Sequence, residues 1–118
     1  MPSAPRYTID LEWVWGPENR HLEGIATVRA TVSDPAAGLA AQKTRTWLKR
    51  LRRDDETSWI SGGWAASIRQ QDAVSIVLDL TSGGQDVAES LSDAVEQLQD
   101  AVLTGATTIR WEPQPIRL

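Results

Sequence analysis

The sequence contains no cysteine, and this absence excludes disulfide bonds, thiolate metal sites and thiol catalysis. It contains a single histidine, His21, so a metal site would have to be built from carboxylates and would suit hard cations. Phenylalanine is absent too, and the aromatic residues are six tryptophans and one tyrosine. Because an indole combines a large apolar surface with an N–H donor, these tryptophans suit both a protein core and a protein interface.

Long hydrophobic runs are also absent. No stretch approaches the roughly 18 consecutive apolar residues of a membrane-spanning helix, and residues 1–5 lack the apolar core of a secretion signal. We therefore expect a cytoplasmic protein with no membrane partner. The net charge of −4 argues against a general nucleic-acid binder, because phosphate attraction favours basic domains. A chain of 118 residues fits one domain, and we expect residues 1–5 to form an arm and 113–118 an extended tail.

Alternating apolar and polar residues predict two strands near the N-terminus, at 6–15 and 23–32. A six-residue loop, 16–21, separates them and is rich in turn residues. Its short length favours a hairpin between the two strands. Further strands are predicted at 57–70, with Gly62 and Gly63 as a bulge or bend, at 73–80 and at 106–112.

The segment 82–105 has the clearest helical periodicity. We expect a capping box formed by Ser82 and Gln85 at its start and Gly105 at its C-terminal end. One face of this predicted helix is apolar and contains Val87, Leu91, Ala94, Val95, Leu98, Ala101 and Val102. Another face carries a narrow acidic stripe of Asp86, Glu89, Asp93, Glu96 and Asp100.

A second helix is predicted to begin with Asp34 as its N-cap and Pro35 as its first residue, and to end near Arg53. Its apolar face contains Ala40, Thr44, Trp47, Leu48 and Leu51. Six of the twelve Lys and Arg residues cover most of the remaining surface: Lys43, Arg45, Lys49, Arg50, Arg52 and Arg53. Cations in the last turn suit the negative end of the helix dipole.

The predicted element order is β-β-α-β-β-α-β, which indicates a single two-layer α+β domain with a mostly antiparallel sheet and two helices on one face. The nearest pattern is the ferredoxin-like βαββαβ arrangement with an extra N-terminal strand. In that arrangement strand 23–32 has a neighbour on each side, which conflicts with the hairpin. We favour the hairpin, and pairing of strand 6–15 elsewhere is the alternative. The sheet face without helices would need cover, which favours oligomers.

No residue pattern predicts a catalytic, cofactor or metal site. His21 lies in a predicted turn, and the acidic run 54–56 is typical of a solvated loop. An enzyme would have to use carboxylates such as Asp10, Glu12 or Asp79. Trp59 and Trp64 flank the glycine pair and could form a stacking platform, although both also suit a core.

We therefore predict a non-enzymatic protein–protein interaction or assembly module, acting as a homo-oligomer or as a subunit of a larger complex. The basic helix and the acidic stripe are complementary surfaces, and charge complementarity sets orientation and association rate. One alternative is a nucleic-acid-binding module that uses the basic segment 43–53 with tryptophan stacking, and another is a small carboxylate-based enzyme. The candidate partner-binding residues are Lys43, Lys49, Arg50, Arg53, Asp86, Glu89, Asp93, Glu96, Asp100, Trp59 and Trp64.

Overall fold

Six β-strands form one antiparallel sheet in the computed structural model, which describes residues 7–8, 26–82 and 87–114 except the side chains of residues 87 and 88. Two helices pack on the same face of this sheet and on each other. The predicted single α+β domain is therefore confirmed. The elements are β1 (Ala26–Ser33), α1 (Leu39–Leu48), β2 (Arg52–Arg53), β3 (Ser58–Ser61), β4 (Trp64–Gln71), β5 (Ser75–Ser82), α2 (Val87–Val102) and β6 (Thr108–Gln114).

The strands lie in the order β2-β3-β4-β5-β1-β6. Four of these strands, in the order β4-β5-β1-β6, have the arrangement of the split βαβ pattern, so the ferredoxin-like arrangement is the nearest description. Strands β2 and β3 extend the sheet beyond β4. The strand predicted at 6–15 lies outside the described residues, apart from residues 7 and 8.

Strand β1 has a neighbour on both sides, so the predicted hairpin between 6–15 and 23–32 is wrong. Ala30, for example, is paired with Leu78 of β5 and with Trp111 of β6. A strand has two edges, and both edges of β1 are occupied along almost its whole length. Both neighbours come from distant parts of the chain. The short length of loop 16–21 therefore did not indicate which strands pair with β1.

The core lies between the sheet and the helices. Alternate residues of β1 and β5 are fully buried there, including Val28, Val32, Leu78 and Leu80. From α2, the core receives the buried side chains of Leu91, Ala94, Val95, Leu98 and Val102, as the helical periodicity predicts. Each buried Leu or Val contributes about 1.5–3 kcal/mol.

Helix α1 is shorter than predicted at both ends. Asp34 is not its N-cap: that position is Gly38, whose φ of 79° brings the chain into the helix without a side-chain cap. Asp34 instead accepts hydrogen bonds from the Ala36 N–H and the Thr107 hydroxyl. The helix ends at Leu48 rather than near Arg53, because residues 52 and 53 pair with β3 as a short strand.

The ends of α2 also differ from the prediction. Ser82 is the last residue of β5, and its hydroxyl donates to the Gly63 carbonyl at 2.6 Å, so it is not the helix N-cap. Gln85 lies outside the described residues. The helix ends at Val102, and Gly105 lies beyond it with a φ of 60°, in a turn closed by a hydrogen bond from the Thr107 N–H to the Thr104 carbonyl.

The strand predicted at 57–70 is two strands joined by a tight turn. Ser61 pairs with Trp64, so Gly62 and Gly63 form a two-residue hairpin turn and not a bulge. The next strand begins at Ser75, leaving Val74 outside it and 46% exposed. Strand β6 extends to Gln114 and includes Pro113, which is compatible with its position as the last strand of the described sheet.

Candidate functional site

The segment from Arg45 to Arg53 presents five exposed cations, which we call the basic surface: Arg45, Lys49, Arg50, Arg52 and Arg53. Helix α1 buries Thr44, Trp47 and Leu48 against the rest of the domain. The helical period then directs the intervening side chains to solvent. After the helix, the chain turns into the two-residue strand β2, where both residues are exposed. The basic surface therefore continues from the end of α1 onto one edge of the sheet.

A shallow depression of about 350 Å³ lies within the basic surface. Its lining consists of three cationic residues, one acidic residue and two apolar residues: Arg45, Lys49, Arg53, Glu56, Leu51 and Trp59. Leu51 is half-buried and Trp59 is buried, whereas the four charged residues are exposed. The depression thus has an apolar floor and a mainly cationic rim. It brings together three of the predicted partner-binding residues, Lys49, Arg53 and Trp59.

The rim cations differ in how firmly they are held. The Arg45 guanidinium donates two hydrogen bonds to Gln71 Oε1, at 3.0 and 2.8 Å. Arg53 Nε donates to the Asp55 carbonyl at 3.0 Å. The side chains of Lys49, on the rim, and of Arg50, next to it, are exposed and form no ion pair with another described residue. Their charges are therefore available for an incoming anionic group.

The acidic loop beside the depression consists of residues 54–56, and Asp55 forms its hydrogen bonds within this turn. The Asp55 carboxylate accepts hydrogen bonds from the Thr57 N–H at 2.8 Å and from the Thr57 hydroxyl at 3.4 Å. The hydrogen bond from the Thr57 N–H is the main reason why the pKa of Asp55 is lowered. Glu56 is the acidic residue that lines the depression itself. The cations of the rim therefore outnumber the acid that faces them.

Lys43 does not belong to the basic surface, although it was predicted to bind a partner. Its ammonium group donates to the Thr104 carbonyl, the Thr104 hydroxyl and the Thr107 hydroxyl, at 2.7–2.9 Å. Thr107 in turn donates to Asp34 at 2.6 Å. The pKa of Asp34 is lowered, first by the Thr107 hydroxyl, then by the Ala36 N–H and by the charge of Lys43. Lys43 therefore holds α1 to the turn that follows α2.

The acidic stripe of α2 is exposed at Glu89, Asp93, Glu96 and Asp100, whereas Asp86 lies outside the described residues. Three ion pairs are formed among described residues, and none joins a cation of α1 to an acid of α2. Glu96 and Asp100 do take part in other interactions. The two complementary surfaces therefore do not neutralise each other through ion pairs within the described structure.

Trp59 and Trp64 do not form a surface stacking platform. Trp64 is 5% exposed, and its ring stacks on Trp47 with 5.7 Å between centroids and 8° between planes. Trp59 is 8% exposed and lines the depression. Both point to the helix side, because their strands pair so that Trp59 lies opposite the fully buried Ala66. Trp64 is therefore a core residue.

The sheet face without helices satisfies its own polar groups. Arg29 donates to both carboxylate oxygens of Asp79, at 2.8 and 3.2 Å, and Arg69 lies 3.6 Å from the same carboxylate. Hydroxyl groups of Thr27 and Thr81 are hydrogen-bonded across the neighbouring strands at 3.0 Å. A face built in this way is compatible with water, so the expectation that it needs cover has no support here.

The described residues include no arrangement of carboxylates that supports the alternative of a small carboxylate-based enzyme. Asp79 is held between two arginines, and Asp10, Glu12 and His21 lie outside the described residues. Among the residues that the structure describes, no group of three acidic or histidine side chains is placed to hold a metal ion. Neither α1 nor α2 has the length and apolar composition that crossing a membrane requires.

One internal contact was missed at the level of the sequence. Gln99 of α2 is 1% exposed and binds the main chain of Tyr7, accepting from its N–H at 2.7 Å and donating to its carbonyl at 2.9 Å. The Tyr7 ring stacks on Trp111, with centroids 4.9 Å apart. Gln99 follows Val95 by four residues, so the helical period places it on the apolar face of α2 and could have predicted that this polar side chain is buried.

No protein-family model, curated protein or solved structure matches this chain. The depression between α1, β2 and β3 combines an apolar floor with the exposed charge of Lys49. Charges around an apolar centre are typical of surfaces that bind and orient a partner of opposite charge.

Proposed function

We propose that this chain is a non-enzymatic protein–protein interaction module, acting as a homo-oligomer or as a subunit of a larger complex in the cytoplasm. Its basic surface contacts an acidic surface of the partner. The observation that carries the proposal is the depression, in which Arg45, Lys49 and Arg53 surround Leu51 and Trp59. Protein interfaces combine these two elements, a desolvated apolar or aromatic centre and a charged rim.

The two elements contribute different properties to binding. Apolar contacts at the floor supply affinity, since burying apolar area is the main favourable term in association. The charges of the rim mainly set the orientation and the association rate. Lys49 and Arg50 suit the second role, because they are exposed and have no ion-pair partner among the described residues that would have to be displaced.

Among the described residues, a second copy of the chain offers an acidic surface on α2, the stripe of Glu89, Asp93, Glu96 and Asp100. A contact between the basic surface of one copy and the acidic stripe of another would be heterologous, which leads to closed rings or to open chains of subunits. A partner of different sequence with an acidic surface is the other form of the same proposal. In both forms the contact weakens as salt rises.

The experiment is size-exclusion chromatography with light scattering at about 0.1 M and about 1 M salt, between which the screening length falls from about 10 to 3 Å. Co-purification of a partner through the tagged chain is measured at the same two salt concentrations. We expect an assembly at low salt that dissociates at high salt and that is lost in Lys49→Glu and Arg53→Glu. Arg110→Glu is the matched control, because Arg110 is exposed on β6 at the opposite edge of the described sheet.

Two results would overturn the proposal. One is a monomer at both salt concentrations together with no partner whose capture depends on Lys49 and Arg53. The other is tight, steeply salt-dependent binding to single-stranded nucleic acid that weakens in Lys49→Ala or Arg50→Ala, because phosphate neutralisation governs such binding. That second result would assign the basic surface to nucleic acid.

A further inference from the structure

We infer that the depression takes an extended acidic segment of a partner protein, which inserts one apolar side chain onto Leu51 and Trp59 and places carboxylates beside Lys49 and Arg53. This inference rests on the proposed function and names the chemistry of the partner. It follows from the size of the depression, the charge of its rim, and the strand edge that adjoins it.

The size of the depression limits what can enter it. A volume of about 350 Å³ lies at the lower end of the range for ligand pockets, roughly 300–1,000 Å³. It suits one or two side chains and not a complete folded surface. Because Leu51 and Trp59 form the floor, the entering group is apolar.

The rim determines the charge of the residues on either side of that apolar group. Three cationic side chains face one acidic side chain around the depression. Lys49 is exposed without an ion-pair partner among the described residues, so a carboxylate placed beside it would replace water and no existing contact. An apolar residue flanked by Asp or Glu therefore matches both the floor and the rim.

The adjoining sheet edge favours an extended conformation. Arg53 of β2 pairs with Trp59 of β3, and β2 is the last strand on that side of the described sheet. A partner strand can add to such an edge through main-chain hydrogen bonds. Edges guarded by cations repel a second cationic edge, so Arg52 and Arg53 oppose pairing with β2 of another copy and attract an acidic strand.

Two other occupants fit less well. The acidic stripe of α2 in a second copy supplies carboxylates. Among the described side chains, however, Val74 is the only large exposed hydrophobic one, and it does not lie on α2. Single-stranded nucleic acid gains much of its affinity from stacking on exposed aromatic faces. Trp59 is only 8% exposed, so little of its ring area is accessible for a base to stack on.

The test measures binding of fluorescein-labelled peptides to the full chain by anisotropy. One peptide has glutamates around a central leucine, a second has glutamines in place of the glutamates, and a third has glycine in place of the leucine. We expect the first peptide to bind roughly tenfold or more tightly than either of the others, because each loses the contacts with the rim or with the floor. A thymidine oligonucleotide is the probe for nucleic acid.

Variants and spectra locate the binding. Lys49→Glu and Arg53→Glu should each weaken binding of the first peptide roughly tenfold, while Arg110→Glu should leave it within about twofold. Lys49, Arg53 and Arg110 are exposed, so these variants are expected to fold. In NMR spectra the Trp59 indole signal should shift on titration, whereas that of the buried Trp64 should not.

Equal binding of the glutamate and glutamine peptides, equal effects of Lys49→Glu and Arg110→Glu, or tighter binding of the oligonucleotide would each overturn the inference. If the peptide does not bind while a self-association or a captured partner still depends on Lys49 and Arg53, the inference fails and the proposed function stands. If neither peptide nor assembly depends on these residues, both fail.

Discussion

Replacing Gly63 by alanine should destabilise the domain, because this glycine combines a left-handed conformation with close contact to α2. Its φ is 88°, in the region that L side chains rarely adopt. A Cβ atom at Gly63 would lie 2.5 Å from Ser90 Oγ and 3.1 Å from Ser90 Cβ. The β3–β4 turn is thus fixed against the first half of α2, and alanine would disturb both the turn and its contact with the helix.

The magnitude follows from these two effects. A non-glycine residue in the left-handed region costs roughly 1–2 kcal/mol, and the contact with Ser90 adds an overpacking cost of about 1–3 kcal/mol. We therefore expect Gly63→Ala to lower the free energy of unfolding by about 2–5 kcal/mol. At roughly 4 °C per kcal/mol for a domain of this size, the melting temperature should fall by about 8–20 °C.

Other glycines separate the two effects. Gly38 has a φ of 79° but open space where a Cβ atom would lie, so Gly38→Ala should show only the conformational cost of about 1–2 kcal/mol. Gly62 has neither a positive φ nor a close neighbour, so Gly62→Ala should be neutral or stabilising by about 0.4–1 kcal/mol. In a Ser90→Ala background the cost of Gly63→Ala should decrease, because the nearest atom is removed.

The assay is urea denaturation of the variants, followed by circular dichroism. The stability order should be Gly62→Ala at or above the wild type, then Gly38→Ala, then Gly63→Ala. If Gly63→Ala is as stable as Gly62→Ala, the hairpin turn does not pack on α2 as described. If Ser90→Ala leaves the cost of Gly63→Ala unchanged, the close contact with Ser90 is not its source.

Two further predictions concern polar side chains. Thr44 Oγ1 is buried without a hydrogen-bond partner among the described residues, so Thr44→Val should raise the free energy of unfolding by about 1–3 kcal/mol. Thr46→Val should not, since that hydroxyl is exposed and donates to the Gln42 carbonyl; a destabilised Thr44→Val would show that the hydroxyl has a partner. Hydrogen bonds from Thr107 and Ala36 lower the pKa of Asp34 in the folded protein. The ionised carboxylate therefore stabilises the fold fully above the unfolded pKa of about 3.9, and this contribution is lost as the pH falls through the lower folded pKa. Urea titrations at a series of acidic pH values should show that the free energy of unfolding falls less steeply with decreasing pH in Asp34→Asn than in the wild type. If the two proteins lose stability equally, Asp34 does not contribute to the acid sensitivity.

Much of the fold follows from local periodicity. The helical period of α2 predicts its buried residues correctly at Leu91, Val95 and Leu98, and the two-residue period of β1 and β5 predicts their core faces. Strand neighbours are not local: residues of β1 pair with residues of β5 that lie 42 to 56 positions later and with residues of β6 that lie 75 to 87 positions later. The hairpin prediction relied on loop length alone and therefore missed the sheet order.

The candidate site was predictable only in part. The run of cations indicates a basic surface, and the structure confirms exposed positions for Lys49, Arg50 and Arg53. The same pattern includes Lys43, which the structure places in hydrogen bonds with Thr104 and Thr107. A charge pattern predicts which side chains are charged. Whether such a side chain is available to a partner depends on which groups from distant parts of the chain lie within hydrogen-bond distance, about 3 Å.

By itself, the sequence determined that cysteine chemistry is absent and which sides of β1, β5 and the two helices enter the core. Both follow from composition and from the fixed geometry of helices and strands. Only the tertiary structure decided that β1 lies between β5 and β6, that Trp64 belongs to the core, and that Trp59 reaches a depression among cations. Each of these depends on contacts between residues far apart in the chain, which local periodicity does not encode.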